Sequence, residues 1–78
     1  MNITRIEAEE KLVLVNAALE AHQLPRLIIT YNTKGRGVYR LMDLQGLTFT
    51  PRTKWMNLTN LYFFLDGMLT TFLKMEGK

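Results

Sequence analysis

Residues 26–44 read RLIITYNTKGRGVYRLMDL, and the alternation inside this stretch decides the fold. Along residues 26–32, Leu27, Ile29 and Tyr31 fall on one side of an extended chain, with Ile28, Thr30 and Asn32 on the other. Along residues 38–44, Val38, Arg40, Met42 and Leu44 share one side, and Tyr39, Leu41 and Asp43 share the other. Thr33-Lys34-Gly35-Arg36-Gly37 lies between them, and its two glycines free the backbone for a reversal. Two alternating runs across such a turn predict a β-hairpin with a basic tip. Gln45-Gly46 makes a second turn into a short run, Leu47-Thr48-Phe49-Thr50. Pro51 ends that run or confines it to a sheet edge, because proline has no N–H to give to a ladder.

Helices flank the hairpin. The first is expected over residues 4–22, where Thr4 and Glu7 have the spacing of a capping box. Three early acids, Glu7, Glu9 and Glu10, suit the positive end of the helix dipole. Pro25 stops the helix and biases Leu24 towards an extended conformation. At about 100° per residue its apolar positions make two stripes. Ala8, Leu12, Val15 and Leu19 form one, and Ile6, Val13, Leu14, Ala17 and Ala21 form the other. A surface helix needs only one stripe. The second stripe therefore meets either another layer of the same fold or a second subunit. The last helix starts near Asn57, a good N-cap. Leu58, Leu61, Leu65, Met68, Phe72 and Met75 recur every three or four residues, and Tyr62, Phe64, Leu69 and Leu73 widen the stripe.

With 78 residues there is room for one domain. A chain of this size buries roughly 60% of its unfolded surface, so its own core is only just adequate. The reading is a single small α+β domain over residues 1–78, in the order helix, hairpin, short third strand, helix. The sheet is antiparallel, with both helices packed on one face. Cysteine is absent, which excludes disulfides and thiolate chemistry and fits a cytoplasmic protein. The N-terminus lacks the basic start and apolar run of a secretory signal. The most apolar segment, residues 58–75, contains Asn60, Asp66, Lys74 and three threonines, which argues against a membrane span.

No catalytic, metal-binding or cofactor site emerges, and no small-molecule substrate is implied. His22 is the sole histidine and sits at a helix end, where a solvated capping role suffices. There is no serine to act as a nucleophile. Glu7 and Glu10 share a helix face but have no histidine or further acid near them in sequence, and Asp43 and Asp66 have no sequence-adjacent partner for acid–base work. Gly35-Arg36-Gly37 lacks the third glycine of a phosphate loop and joins two strands, so it reads as a hairpin turn.

Charge is the clearest functional signal. Arg26, Lys34, Arg36, Arg40, Arg52 and Lys54 face only Asp43 within residues 26–54, whereas residues 1–25 carry a net −2. Such segregation favours a surface with a preferred sign of partner. The aromatics Tyr31, Tyr39 and Trp55 interleave with this basic cluster, the combination with which single-stranded nucleic acid is held, and the candidate contacts are Tyr39 and Trp55 with Lys34, Arg36, Arg40, Arg52 and Lys54. The competing reading has the cations keeping a small sheet soluble and the tyrosines packing inward. A protein interface is expected at Val13 and Ala17 of the second stripe, and at Phe63 and Gly67 on the otherwise polar face of the last helix. The expected partner there is a second copy, as a dimer.

The helix, the Gly-turn hairpin with Val38-Tyr39-Arg40-Leu41, and the closing Asn60-Leu61-Tyr62-Phe63-Phe64-Leu65-Asp66-Gly67-Met68 resemble small uncharacterised proteins of bacteria and their phages or mobile elements, which share this helix-hairpin-helix layout. Those proteins end in a comparable helix with a Leu-x-Gly-Met pattern. The resemblance implies the order of elements and brings no activity or site residues with it. The leading expectation is a non-enzymatic, self-associating interaction module. The alternative is a nucleic-acid-binding accessory protein that works through residues 34–54.

Overall fold

Thr4 opens the first helix as the spacing requires. Its Oγ1 accepts from the Glu7 N–H at 3.2 Å, and the Glu7 carboxylate accepts from the Thr4 N–H at 3.3 Å. The computed structural model describes residues 3–32, 34, 35 and 37–75, and the backbone of Glu76. The elements are α1 (Arg5–Ala21), β1 (Arg26–Tyr31), β2 (Tyr39–Gln45), β3 (Thr48–Pro51) and α2 (Leu58–Glu76). This is the expected α-β-β-β-α order, with an antiparallel sheet of order β1-β2-β3.

Before Pro25 can act, α1 has already ended at its own cap. His22 is the C-cap residue, and Gln23 takes a left-handed conformation with φ 58°. The Gln23 N–H donates to Glu20 O at 3.0 Å and the Leu24 N–H to Leu19 O at 2.8 Å. These two bonds make a Schellman motif, with glutamine at the position where glycine is usual. His22 is half-buried rather than solvated, because its ring lies 5.0 Å from that of Phe72. At the start of α2, Asn57 caps as expected: its Oδ1 accepts from the Asn60 N–H at 2.8 Å.

In the sheet, Leu27 stands opposite Asp43, Ile29 opposite Leu41 and Tyr31 opposite Tyr39. Gly46 has φ 62° at the first central position of the two-residue β2–β3 turn, the glycine position of a II′ hairpin. Pro51 closes the edge strand β3 opposite Met42. The 42–51 pair is a non-hydrogen-bonded one, so the missing N–H faces outwards and costs the ladder nothing. Two extra residues then enter the chain before Met56 pairs with Tyr39. The Leu41 carbonyl accepts from both Arg52 and Thr53 N–H groups, at 2.8 and 3.4 Å, and the Leu41 N–H donates to Thr53 Oγ1 at 3.1 Å. The result is a bulge that keeps the β2 backbone satisfied while throwing residues 54–55 clear of the ladder.

Both helices lie on one face of the sheet. The core consists of Val15 and Leu19 from α1, Leu27 and Leu41 from the sheet, and Leu61 and Leu65 from α2. Each fully buried leucine contributes roughly 1.5–3 kcal/mol of apolar transfer. Lys11 meets Tyr62 and Asp66, and His22, farther along α1, meets Phe72, farther along α2, so the helices run in the same direction. The first stripe of α1 is thus covered by sheet and α2. The second, with Ile6, Val13, Leu14, Ala17 and Ala21, is exposed and has no layer over it among the described residues. The stripe of α2 is also narrower than its periodicity suggested: Phe64, Leu73 and Met75 are exposed, because the three-stranded sheet covers only one side of the helix.

Candidate functional site

The helix layer leaves the opposite face of the sheet bare. Burial of Leu27 and Leu41 fixes which side of each strand looks at the helices. Alternation then puts Arg26, Ile28 and Thr30 of β1, Arg40, Met42 and Leu44 of β2, and Phe49 of β3 on the open side. Its centre is aliphatic, with Ile28 opposite Met42. Phe49 stands opposite Leu44 and remains 51% exposed.

The bulge after Pro51 completes this face. It carries Trp55 over Arg40, with the guanidinium carbon 4.3 Å from the ring centroid. Stacking of a guanidinium on an indole is favourable, and more so where water is excluded. The Nε of Arg40 is buried without a hydrogen-bond partner among the described residues, so the ring is what compensates this cation. The one acid of residues 26–54, Asp43, lies on the helix side, paired with Arg52 at 3.4 Å. The open face therefore carries Arg26 and Arg40 with no acid beside them in the three strands.

The seven residues expected at a nucleic-acid surface are separated by this geometry. Arg40 and Trp55 come together on the open face, and exposed Lys54 is next to Trp55 in the chain. Tyr39 turns to the helix side, packs against the core and lies 5.4 Å from Tyr31. Arg52 also turns to that side. Lys34 is exposed at the hairpin tip, where its N–H donates to Asn32 Oδ1 at 2.9 Å. Arg36 lies outside the described residues. The competing expectation, that the tyrosines pack inward, describes Tyr39.

The four expected interface residues occupy the outer side of the helix layer. Val13 and Ala17 line a groove of about 610 Å³, together with Asn16, Glu20, Gln23, Leu24 and Arg26. Val13 is 67% exposed there. Phe63 is half-exposed, edge-on to Tyr62 with ring centroids 5.7 Å apart. A side chain at Gly67 would meet nothing within 4 Å, so that glycine leaves room on the surface. Between the groove and β1, the Asn16 amide donates to Leu27 O at 2.9 Å and accepts from the Leu27 N–H at 2.8 Å.

Sequence reasoning named neither Asn16 nor the aliphatic centre of the open face. Ile28 was legible on one side of the first run, and Met42 with Leu44 on one side of the second, but the register that joins them and the choice of bare side depend on how the strands pair and where the helices settle. Among the described residues, no group of three His, Asp or Glu side chains could hold a metal ion, and no helix is long and apolar enough to cross a membrane. No family model, curated protein or solved structure matches this chain.

Proposed function

We propose that this chain is a small, non-enzymatic interaction module that associates with copies of itself. The observation that carries the reading is the apolar surface left uncovered on both outer layers. On the helix side Ile6, Val13 and Leu14 are exposed, and on the sheet side Phe49 is exposed beside Ile28, Met42 and Leu44. Contiguous apolar surface on a small protein marks a contact site more often than chance exposure. Apolar association also supplies the burial that so short a chain lacks on its own. Light scattering over a range of concentrations tests the reading. The expected result is a mass above that of the 9.1 kDa monomer, and a monomer at every concentration rejects it.

A second reading rests on the Arg40–Trp55 stack. An indole and a guanidinium on an open, acid-free face, with Lys54 adjoining, form a platform for bases and phosphates. On this reading the chain is a nucleic-acid-binding accessory protein. Its binding weakens steeply with salt, whereas apolar association does not. A gel shift with a single-stranded oligonucleotide at low salt is the test, and no shift removes this reading.

A further inference from the structure

We infer that copies of this chain associate head to tail, with the outer face of α1 from one copy seated on the open face of the sheet of the next. This mode rests on the self-association proposed above and specifies its two surfaces.

Charge chooses the pairing. At about 100° per residue Glu20 borders the exposed stripe of α1 beside Val13, and Glu10 falls inside it, between Ala17 and Ala21. Neither glutamate makes an ion pair among the described residues. Both cations of α1 are already engaged away from the stripe: Arg5 with Glu9 at 3.3 Å, and Lys11 with Asp66 at 3.0 Å. The outer face of α1 is thus apolar with two acids, Glu10 within the stripe and Glu20 at its edge, where Arg26 lines the same groove. The open sheet face is apolar with a cationic border, Arg26 at one corner and Arg40 beside Trp55. Pairing the stripe with its own copy would gather four glutamates against only the two Arg26 side chains that line the grooves. Pairing it with the sheet sets acids against arginines.

Shape agrees with charge. From Ile6 to Ala17 the stripe runs about 17 Å along the helix at the usual rise per residue. A six-residue strand such as β1 spans roughly 20 Å. Val13, Ala17 and Ile6 can therefore lie along Ile28, Met42, Leu44 and Phe49 without overhang. A helix on that side also gives the sheet helices on both faces, the arrangement that removes its apolar surface from water.

The centre of the open face favours a protein occupant over nucleic acid. Ile28, Met42 and Leu44 offer aliphatic contact, the one exposed strand ring on this face, Phe49, stands out on the edge strand, and one side of Trp55 is already taken by Arg40. Because the two surfaces differ, each copy keeps one of each free, and growth continues beyond two copies unless the rotation closes a ring.

The test is a charge exchange followed by sedimentation. Variant A carries Arg26→Glu and Arg40→Glu, and variant B carries Glu10→Lys and Glu20→Lys. Circular dichroism confirms that each is folded, and Arg26→Glu alone replaces variant A if the loss of the Arg40–Trp55 stack unfolds it. Wild type is expected to grow past a dimer with concentration. Each variant alone is expected to be monomeric, and an equal mixture to regain assembly, since A then offers acids where B offers lysines. A wild-type dimer that does not grow, or that survives in variant A, overturns this mode and leaves self-association standing. A wild-type monomer overturns both. A wild-type monomer that shifts a single-stranded oligonucleotide, with the shift lost in A and kept in B, overturns both in favour of nucleic acid.

Discussion

Asn16 and Leu27 are joined by two hydrogen bonds in which a side-chain amide stands where a neighbouring strand would be. Asn16 Nδ2 donates to Leu27 O at 2.9 Å, and the Leu27 N–H donates to Asn16 Oδ1 at 2.8 Å. The ladder to β2 uses Arg26, Ile28 and Thr30, so the polar groups of Leu27 face outwards. Leu27 is a core residue, and the amide both ties α1 to β1 and blunts this point of a sheet edge.

Replacement of Asn16 by alanine leaves two backbone groups half-buried without partners, with an expected cost of about 1–3 kcal/mol. Asn16→Asp has a pH signature. An ionised aspartate accepts from the Leu27 N–H but repels the Leu27 carbonyl, whereas the protonated acid restores both bonds. The folded state then favours the neutral acid, so its carboxyl titrates above the unfolded value and the variant gains stability as pH falls through that range. Denaturant melts at neutral and mildly acidic pH check this, and equal stability at both contradicts the assigned geometry.

Leu65 is fully buried in the core that α1, the sheet and α2 share. Leu65→Ala removes that volume from a six-residue core and is expected to cost about 2–5 kcal/mol, a large share of a small domain's stability. A thermal melt is sufficient, and an unchanged midpoint contradicts the packing.

Gln23 holds a left-handed backbone that costs an L-residue roughly 1–2 kcal/mol relative to glycine. Glycine also has more unfolded-state freedom to lose, which offsets part of that difference. Gln23→Gly is therefore expected to stabilise by about 0.5–1 kcal/mol, and a lower melting temperature counts against the Schellman assignment.

These residues also show what the sequence could reveal. Thr4 with Glu7, Asn57, Pro51 and the alternation of residues 26–44 act locally, so their roles follow from spacing alone. Gln23 could not be read as a helix stop, because nothing in its side chain asks for φ 58°. Asn16 bonds a residue 11 positions away, and Arg52 pairs with Asp43 across a bulge, so both roles exist only after folding. The candidate surface follows the same division. Its residues are visible as one side of each strand, whereas their joining into one face depends on the register and its exposure on which side the helices choose. Trp55 joins it through two extra residues that no periodicity announces.

Lys11 and Asp66 tie the two helices together at 3.0 Å, with the Lys11 ammonium also 5.2 Å from the centre of the Tyr62 ring. The hydrogen bond to Asp66 holds the Lys11 pKa above its ordinary 10.5. A raised lysine pKa contributes stability that is complete below the unfolded value and is lost as pH rises through the folded one. Asp66 is about half-exposed, so the pair contributes about 0.5–1 kcal/mol after screening. Asp66→Asn is expected to lose that amount at neutral pH and to converge with wild type in strong alkali. A difference that persists there points to a packing role instead.

The outer side of the helix layer presents two separate apolar features, and they are expected to behave differently. Val13 and Ala17 lie one helical turn apart on the stripe that borders the groove. Phe63 leans edge-on against Tyr62 on the other helix. Val13→Glu with Ala17→Glu puts two charges into the centre of the proposed contact while preserving good helix formers. Both sites are exposed in the monomer, so the fold should survive with an unchanged circular dichroism spectrum. Self-association should weaken by more than tenfold, since about 1.4 kcal/mol already produces that factor. Phe63→Ser, by contrast, removes an exposed ring outside this contact and should leave the oligomer mass as it was. Light scattering on the two variants separates the surfaces. Loss of assembly in Phe63→Ser, with retention in the double glutamate variant, would move the interface from α1 to α2.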